Sequence, residues 1–220
     1  MDLGVDQLPL GNGRLAREYL PVTETRIRPA TMADLPYLYE VALKTGNSGT
    51  DATGMYINDS MLGEVFVGPY VTLAIETCFA LVKNELPMGY GLCVLDTDRF
   101  QEESEINWWP KLRQKYRELN STSESDWLIQ EIFTPTPSPT SILKDFPSHG
   151  HIDLLPDVQS LGWGKMMMHE MESALTSKGS TGFHLRVSAY NNRALQFYGS
   201  IGYKELLRRN DEVIVGKVLN

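Results

Sequence analysis

A glycine-containing turn between a predicted strand and a predicted helix carries the strongest chemical signal in this sequence. It spans residues 159–164, Gln-Ser-Leu-Gly-Trp-Gly. Glycine lets a backbone approach a ligand closely, and the unpaired N–H groups and positive dipole end of a helix N-terminus attract anions. We therefore predict an anion site with a pyrophosphate as its natural ligand. Nucleotide or sugar-phosphate binding is disfavoured, because the GxGxxG spacing and the Lys-Ser ending of a P-loop are both missing.

Polar side chains alternate along the segment that leads into this turn. His149, His151 and Asp153 share one face of the chain if the extended conformation reaches back to His149, while Ile152 and Leu154 lie on the other. Carboxylate and imidazole groups accept protons, so this face offers candidate general bases. Two histidines and an aspartate are also zinc-ligand types, but no cysteine lies nearby and the chemistry predicted below needs no metal, so we expect none.

The elements that position these residues are most regular in the last seventy residues. There a strand, the turn, a helix, a strand, a helix and a strand follow one another. Apolar alternation and turn signals predict strands at 25–29, 78–82, 88–95, 151–156, 183–187 and 203–207. Helical spacing and caps predict helices at about 35–46, 108–119, 164–178 and 192–201, and a short helix within 55–67 is left open. The proline-rich segment 134–140 is predicted to be a loop.

Composition limits the classes of protein to which the chain can belong. Of its 220 residues, 42% are hydrophobic, enough to bury a core as one domain. We predict an N-terminal arm at 1–24 and a single domain at 25–220, with an insertion at about 96–148. Twenty basic residues against 28 acidic ones give a net charge of −8, which argues against a nucleic-acid partner and suits a cationic one.

The cysteines and the apolar stretches indicate where the protein works. Cys78 and Cys93 show no CxxC spacing, so a reducing compartment is expected. The N-terminus carries acids where an export signal has basic residues, and the most apolar stretch, 71–82, is too short and too polar to span a membrane. We expect a cytoplasmic protein with no membrane partner.

Two motifs in the last third of the chain resemble the coenzyme A-binding half of the GNAT acyltransferase superfamily. The first is the Gln-x-x-Gly-x-Gly turn at 159–164, and the second is Asn-x-x-Ala-x-x-Phe-Tyr-x-x-x-Gly-Tyr at 191–203. They occur in the family's order, with a helix and a strand between them. The resemblance implies a mixed α/β fold of the α+β type. Its mostly antiparallel, twisted sheet of six or seven strands would be splayed at the coenzyme site and flanked by helices.

Further segments resemble bacterial GNAT proteins related to the C-terminal acetyltransferase-like domain of O-GlcNAcase. The resemblance extends over nearly the whole chain after the arm. The segments that carry it are Gly46 with 50–52, 67–70, 89–90, 108–110, 146–149 and 151–156. In the eukaryotic domain the phosphate-binding turn is degraded, whereas both glycines are present here. The chain therefore resembles the members that bind the coenzyme, and glycosidase activity is not expected of these 220 residues.

The resemblance implies roles in binding acetyl-CoA as a co-substrate. Backbone groups of Leu154 and Leu155 would hold the thioester and the pantetheine arm, and main-chain N–H groups of the turn would wrap the pyrophosphate. Asn191 would contact the coenzyme arm, and Tyr198 would protonate the leaving thiolate as general acid. The implied binding residues are Leu154, Leu155, Val158, Gln159, Ser160, Leu161, Gly162, Trp163, Gly164, Lys165, Asn191 and Tyr198.

The attacking amine sheds a proton, which a base has to take. Asp153, at the active-site end of its strand, is the leading candidate, acting directly or through water. His151 is the second candidate. A purely structural, hydrogen-bonded role for Asp153 is the alternative.

Acceptor recognition is expected from the region 46–70 and from the insertion. Carboxylates there are candidates for holding a cationic acceptor, and aromatic side chains for walling its pocket, with ordinary packing as the alternative for each ring. The candidate contacts are Asp51, Tyr70, Asp96, Trp108 and His151, with Tyr90 and Trp109 as further walls. The acceptor would be a small-molecule or peptide amine, and the chain a monomer or a homodimer.

The sequence therefore predicts an acetyl-CoA-dependent N-acetyltransferase that moves the acetyl group directly to an amine within a ternary complex. No covalent acyl-enzyme is expected, because neither cysteine lies in a recognisable nucleophile setting. The main alternative is a catalytically inactive pseudo-acetyltransferase that binds acetyl-CoA or a protein partner.

Overall fold

Residues 24–118 and 126–220 are described by the computed structural model. The predicted N-terminal arm lies outside these residues except for Glu24, whose backbone N–H donates to the side chain of Asn84. Within the two described ranges, no helix is both long enough and apolar enough to cross a membrane.

Seven β-strands of the described chain form one sheet. They are β1 (Thr25–Pro29), β2 (Cys78–Lys83), β3 (Leu86–Val94), β4 (Ser148–Leu154), β5 (Gly182–Ser188), β6 (Lys204–Arg208) and β7 (Glu212–Val218). Their order across the sheet is β1-β2-β3-β4-β5-β7-β6. Every neighbouring pair is antiparallel except β4 and β5, which run parallel. The mixed α/β class with a mostly antiparallel sheet, as the sequence predicted, is confirmed.

Helices flank this sheet on both sides. Those described are α1 (Leu35–Thr45), α2 (Met61–Phe66), α3 (Gly68–Leu73), α4 (Thr97–Asn107), α5 (Trp109–Tyr116), α6 (Asp126–Phe133), α7 (Thr140–Leu143), α8 (Trp163–Ser177) and α9 (Asn192–Ser200). The long helix α8 buries Met167, Met171 and Leu175, which recur every fourth residue and so form one apolar stripe.

The sheet splays open between β4 and β5. Ser148 lies opposite Phe183 and His149 opposite His184, after which the ladder between these two strands stops. By contrast, β3 and β4 remain paired up to Leu154. The last four residues of β4 keep partial exposure although the strand is central, because one of its edges has no neighbour. The predicted splay is therefore present, and it opens toward the turn before α8.

Two separate apolar cores cover the two faces of the sheet. On one face α1, α2 and α3 pack with alternate residues of β2 and β3, including Tyr90. On the other face α8 and α9 pack with Leu185 of β5 and with Ile152 and Leu154 of β4. Because side chains alternate along β4, Asp153 points to the α1–α3 face.

Several element bounds differ from the sequence predictions. β4 begins at Ser148 and ends at Leu154, whereas the prediction was 151–156; Pro156 instead opens a single 3₁₀ turn. β7 was not assigned from the sequence. α4 and α6 were also missed inside the predicted insertion, and α4 is so polar that it has no apolar stripe to detect.

Candidate active site

The open edge of β4 presents backbone groups to the gap. The N–H of Leu155 donates to the carbonyl of Met88 on β3 at 2.9 Å. Since successive peptide groups alternate between the two edges of a strand, Ile152 and Leu154 turn their N–H and C=O groups toward the gap. Leu154 thus faces the gap, whereas the N–H of Leu155 is bonded to β3. That backbone groups of these two residues hold a ligand stays a prediction.

The side chain of Gln159 ties the turn to the end of β4. Its Nε2 donates to the carbonyl oxygen of Leu154 at 2.6 Å. The backbone N–H groups of Val158 and Gln159 are bonded to Leu155 and Pro156 in the preceding turn, and Val158 is buried. The N–H groups of these two residues, predicted to wrap the pyrophosphate, are therefore used within the turn, and the free N–H groups belong to the residues that follow.

A row of free backbone donors begins after Gln159. Ser160 and Gly162 adopt left-handed conformations, with φ of 60° and 87°. Across both described ranges, no backbone or side-chain acceptor takes the N–H groups of residues 160–165. These groups lie at the positive dipole end of the 15-residue helix α8, so the turn fits an anion such as a pyrophosphate.

The side chains of the turn leave this row accessible. A Cβ atom at Gly164 would lie 3.3 Å from the ring of Phe197, so the first turn of α8 packs closely against α9. Trp163 joins the core on this face, whereas Leu161 and Lys165 are exposed. Lys165 adds a cationic group beside the free donors.

Asp153 lies directly opposite Tyr90 in the ladder between β3 and β4. The Tyr90 hydroxyl donates to its Oδ2 at 2.5 Å, and the hydroxyl of Thr45 at the end of α1, which donates to the carbonyl of Val41, lies near the carboxylate. Burial raises the pKa of Asp153 to about 6, although the hydrogen bond from Tyr90 and the nearby Thr45 hydroxyl favour the charged form. A carboxylate with this pKa is ionised at neutral pH and takes up a proton readily, as a general base must.

Tyr198 lies on α9, on the face of the sheet opposite to Asp153. Its side chain belongs to the α8–α9 core and is 7% exposed. Burial raises the pKa of its hydroxyl, and the negative charge of Asp153 raises that pKa further. The hydroxyl is therefore protonated at neutral pH and can donate. Asp153 and Tyr198 thus provide a proton acceptor and a proton donor on the two faces beside the gap.

Three histidines extend from the closed end of the gap toward Asp153. The Nδ1 of His149 lies 2.9 Å from the Thr97 hydroxyl, and the ring of His184 is held by the carbonyl of Phe146. Burial lowers the pKa of all three histidines, that of His151 to about 4. His151, the second candidate base, is therefore neutral at pH 7 and a weaker base than Asp153.

His149, His151 and Asp153 are also the residues whose types could bind zinc. In the described part of the chain, no group of three His, Cys, Asp or Glu side chains is arranged to hold a metal ion. That no metal takes part in the chemistry stays a prediction.

Two of the predicted acceptor contacts meet beside Asp153. The rings of Tyr70 and His151 have centroids 5.4 Å apart. Asp51 lies with Leu155 at a cavity of about 340 Å³, next to the end of β4. Its carboxylate is already paired with the Nζ of Lys44 at 2.9 Å.

Asp96 and Trp108 have structural partners instead. Asp96 is the N-cap of α4, where it accepts a hydrogen bond from the N–H of Arg99, and it follows the end of β3 that is remote from the turn. The indole N–H of Trp108 donates to the carbonyl of Glu64 at 2.9 Å, which joins α5 to α2. The structure does not bring these two residues to the gap.

Asn191 is the N-cap of α9. Its Oδ1 accepts a hydrogen bond from the N–H of Ala194 at 3.0 Å. This bond uses the side-chain oxygen and leaves the side-chain NH₂ group for the coenzyme contact, which stays a prediction.

Sequence reasoning missed three side chains that reach the site from other elements. Thr45 contacts Asp153 from α1, Phe66 contacts the ring of His151 from α2, and Arg186 of β5 faces the histidines. Arg186 pairs with Glu212 at 2.5 Å and donates to the carbonyl of Thr136. The sequence offered one indication that Arg186 has a role: it is a charged residue within the otherwise uncharged strand β5.

Comparisons with known proteins agree with this geometry. A family model described as FR47-like protein matches residues 141–212. Protein O-GlcNAcase of Rattus norvegicus is 27% identical over 216 residues, which cover 90% of this chain and 23% of that protein. The chain therefore spans less than a quarter of the length of this curated relative.

Solved structures share the fold. The crystal structure of SsHAT has a TM-score of 0.81 and 27% identity, and the match covers 89% of this chain and 98% of that one. A GNAT superfamily phosphinothricin acetyltransferase from Sinorhizobium meliloti, solved in complex with AcCoA, has a TM-score of 0.54 and 12% identity over 89% of each chain. The resemblance drawn from the sequence is thereby confirmed.

Proposed function

We propose, from the premise that this chain has the GNAT acetyltransferase fold and a sequence related to O-GlcNAcase, that it is an acetyl-CoA-dependent N-acetyltransferase. One observation carries the proposal. The free N–H groups of residues 160–165 lie where the sheet splays open, with Asp153 and Tyr198 on the two faces beside that gap. An anion site, a proton acceptor and a proton donor thus converge on one opening.

The groups around the gap fit acetyl-CoA. The free N–H row would hold the pyrophosphate, and Lys165 would add positive charge in a protein whose net charge is −8. The N–H and C=O groups of Ile152, which lack a strand partner, would pair with the amides of the pantetheine arm, as an added strand does at a sheet edge, whereas the carbonyl of Leu154 is already bonded to Gln159. Bound acetyl-CoA supplies an activated thioester.

Each residue of the gap then has a defined task in acetyl transfer. Asp153, held by the hydroxyl of Tyr90, takes the proton that the attacking amine releases, directly or through water. The N–H of Leu154 is the backbone donor available for the acyl oxygen. As the carbon–sulfur bond breaks, Tyr198 gives its proton to the leaving sulfur.

Calorimetry tests coenzyme binding first. Titration of the protein with acetyl-CoA is expected to give saturable one-to-one binding, whereas ATP and NAD, which share the pyrophosphate but lack the pantetheine arm, bind far more weakly. Equal affinity for the three ligands, or no heat with acetyl-CoA, would contradict the proposal.

A thiol-release assay separates an enzyme from a protein that only binds. With acetyl-CoA present, adding amines, amino sugars and lysine peptides in turn should raise the rate of CoA release for at least one class. Binding of acetyl-CoA without release across this panel would favour the inactive pseudo-acetyltransferase that the sequence left open.

A further inference from the structure

The side chains around Asp153 show from which direction an acceptor approaches. α8 and α9 cover one face of the gap, and Asp153 points to the other face, beneath α1, α2 and α3. An amine whose proton passes to Asp153 must therefore reach the gap from the α1–α3 face. The residues that line the route on that face decide which amines fit.

A continuous row of aromatic rings leads from the surface to this position. We call it the aromatic row: Tyr70, His151, Phe66, Trp127 and Tyr56. Successive ring centroids lie 5.4, 5.6, 5.8 and 6.3 Å apart. His151 precedes Asp153 by two residues on the same face of β4, and Trp127 at the outer part of the row is 47% exposed.

The charges near the row do not suit a polycation. Of the two carboxylates expected to hold a cationic acceptor, Asp51 is paired with Lys44 and Asp96 caps α4 at the remote end of β3. The guanidinium of Arg186, whose charge acts on His151, is likewise paired, with Glu212 at 2.5 Å. The row itself consists of rings and carries no carboxylate that would hold a second positive charge, which favours a flat, apolar group over a polycation.

We infer, resting on the proposed function, that the acceptor is an amine carried on an aromatic group. That group lies against the rings of Phe66, Tyr70 and His151, with Trp127 at the entrance, and the amine reaches Asp153. Aromatic pairs prefer offset or edge-to-face contacts at centroid distances of about 4.5–7 Å, the range in which the row's own rings are spaced. The negative net charge of the chain therefore does not determine the acceptor class.

Matched amines test the acceptor class directly. Thiol release would be measured with 2-phenylethylamine, with 2-cyclohexylethylamine, which has a similar shape but no aromatic ring, and with spermidine. The inference predicts the highest kcat/KM for the aromatic amine and the lowest for spermidine. A higher kcat/KM for spermidine or for the cyclohexyl compound would overturn it, even if acetyl-CoA binding and turnover are normal.

Two exposed-site variants test the row itself. Trp127→Ala should raise the KM for 2-phenylethylamine by about two- to tenfold, the value of one aromatic contact, with kcat and the Kd for acetyl-CoA unchanged. Ile106→Ala, which removes a side chain 73% exposed on α4, is the control and should leave KM unchanged. Equal KM values in the two variants would contradict a role for the row.

The affinity of the protein for each amine can be measured without turnover. Calorimetry of 2-phenylethylamine and of spermidine into protein saturated with CoA should show tighter binding of the aromatic amine, weakened by Trp127→Ala. Tighter binding of spermidine would refute the acceptor class. By contrast, failure of acetyl-CoA itself to bind would refute the proposed function.

Discussion

The hydroxyl of Tyr90 donates a 2.5 Å hydrogen bond to Asp153 from the position directly opposite it in the β3–β4 ladder. Two features follow from this one pairing. The carboxylate is fixed in place on the strand that borders the gap, and its charged form is stabilised against the burial that raises its pKa to about 6. The predictions below begin with this pair.

Tyr90→Phe should move the acid limb of kcat to higher pH. The hydrogen bond lowers the pKa of Asp153, so its loss raises that pKa, and a base with a raised pKa becomes ionised only at higher pH. A hydrogen bond to a charged group corresponds to a shift of about one to two pH units. The pH profile of kcat at saturating acetyl-CoA measures it.

A matched tyrosine provides the control for this variant. The Tyr116 hydroxyl donates to the carboxylate of Glu64 at 2.6 Å, on helices away from β4. Tyr116→Phe should leave the acid limb in place. An identical profile for the wild-type protein and Tyr90→Phe would show that Tyr90 does not position the base.

Asp153→Asn should lower kcat by about 10²- to 10⁴-fold, the usual contribution of a general base. In the wild-type protein kcat should rise with a midpoint near pH 6, because Asp153 must lose its proton before it can act as a base. This limb should vanish in the variant, while calorimetry shows unchanged binding of acetyl-CoA. Asp157→Asn, at a nearby exposed carboxylate, should behave like the wild type.

Tyr198→Phe should slow release of the thiol without weakening acetyl-CoA binding. The variant keeps the buried ring and removes the one proton that the leaving sulfur would receive. Tyr203→Phe is the control, because Tyr203 packs against Tyr198 but its hydroxyl donates to Glu172. Equal kcat values in the two variants would remove Tyr198 from the mechanism.

Gly162→Ala should weaken acetyl-CoA binding by about tenfold or more, the effect of losing a well-made hydrogen bond. Gly162 has a φ of 87° where the free donors begin α8, and alanine adopts that conformation at a cost of about 1–2 kcal/mol. Calorimetry measures the change in Kd.

Gly179→Ala separates backbone strain from ligand binding. Gly179 follows the other end of α8, has a φ of 89°, and leaves the same open space for a Cβ atom. Both variants should lose similar unfolding free energy, but only Gly162→Ala should raise the Kd for acetyl-CoA. A parallel rise in both would mean that the turn does not bind the coenzyme.

Local pattern was enough to predict the turn and most of the sheet. The Gln159 to Gly164 motif joins β4 to the first turn of α8 as predicted, and the hairpin of β2 and β3 is present. These features depend on short-range periodicity and on glycine at fixed positions, so they are visible in a single sequence. β7 was missed although Val213, Ile214 and Val215 form an apolar run.

Which side chains meet in the site depends on contacts between residues far apart in sequence, and local sequence patterns do not reveal these. Tyr90 meets Asp153 across 63 residues of sequence, and Trp127 reaches the aromatic row from α6. Asp96 shows the converse case. Its residue type suited a cationic acceptor, but its position immediately before α4 makes it an N-cap.

One measurement tests the central claim most directly: the rate of CoA release from acetyl-CoA as a function of amine concentration, with the acetylated amine quantified by mass spectrometry. The account predicts saturable, amine-dependent release, one acetylated amine for each CoA, and loss of both in Asp153→Asn. Acetyl-CoA binding with a release rate that no amine changes would contradict it.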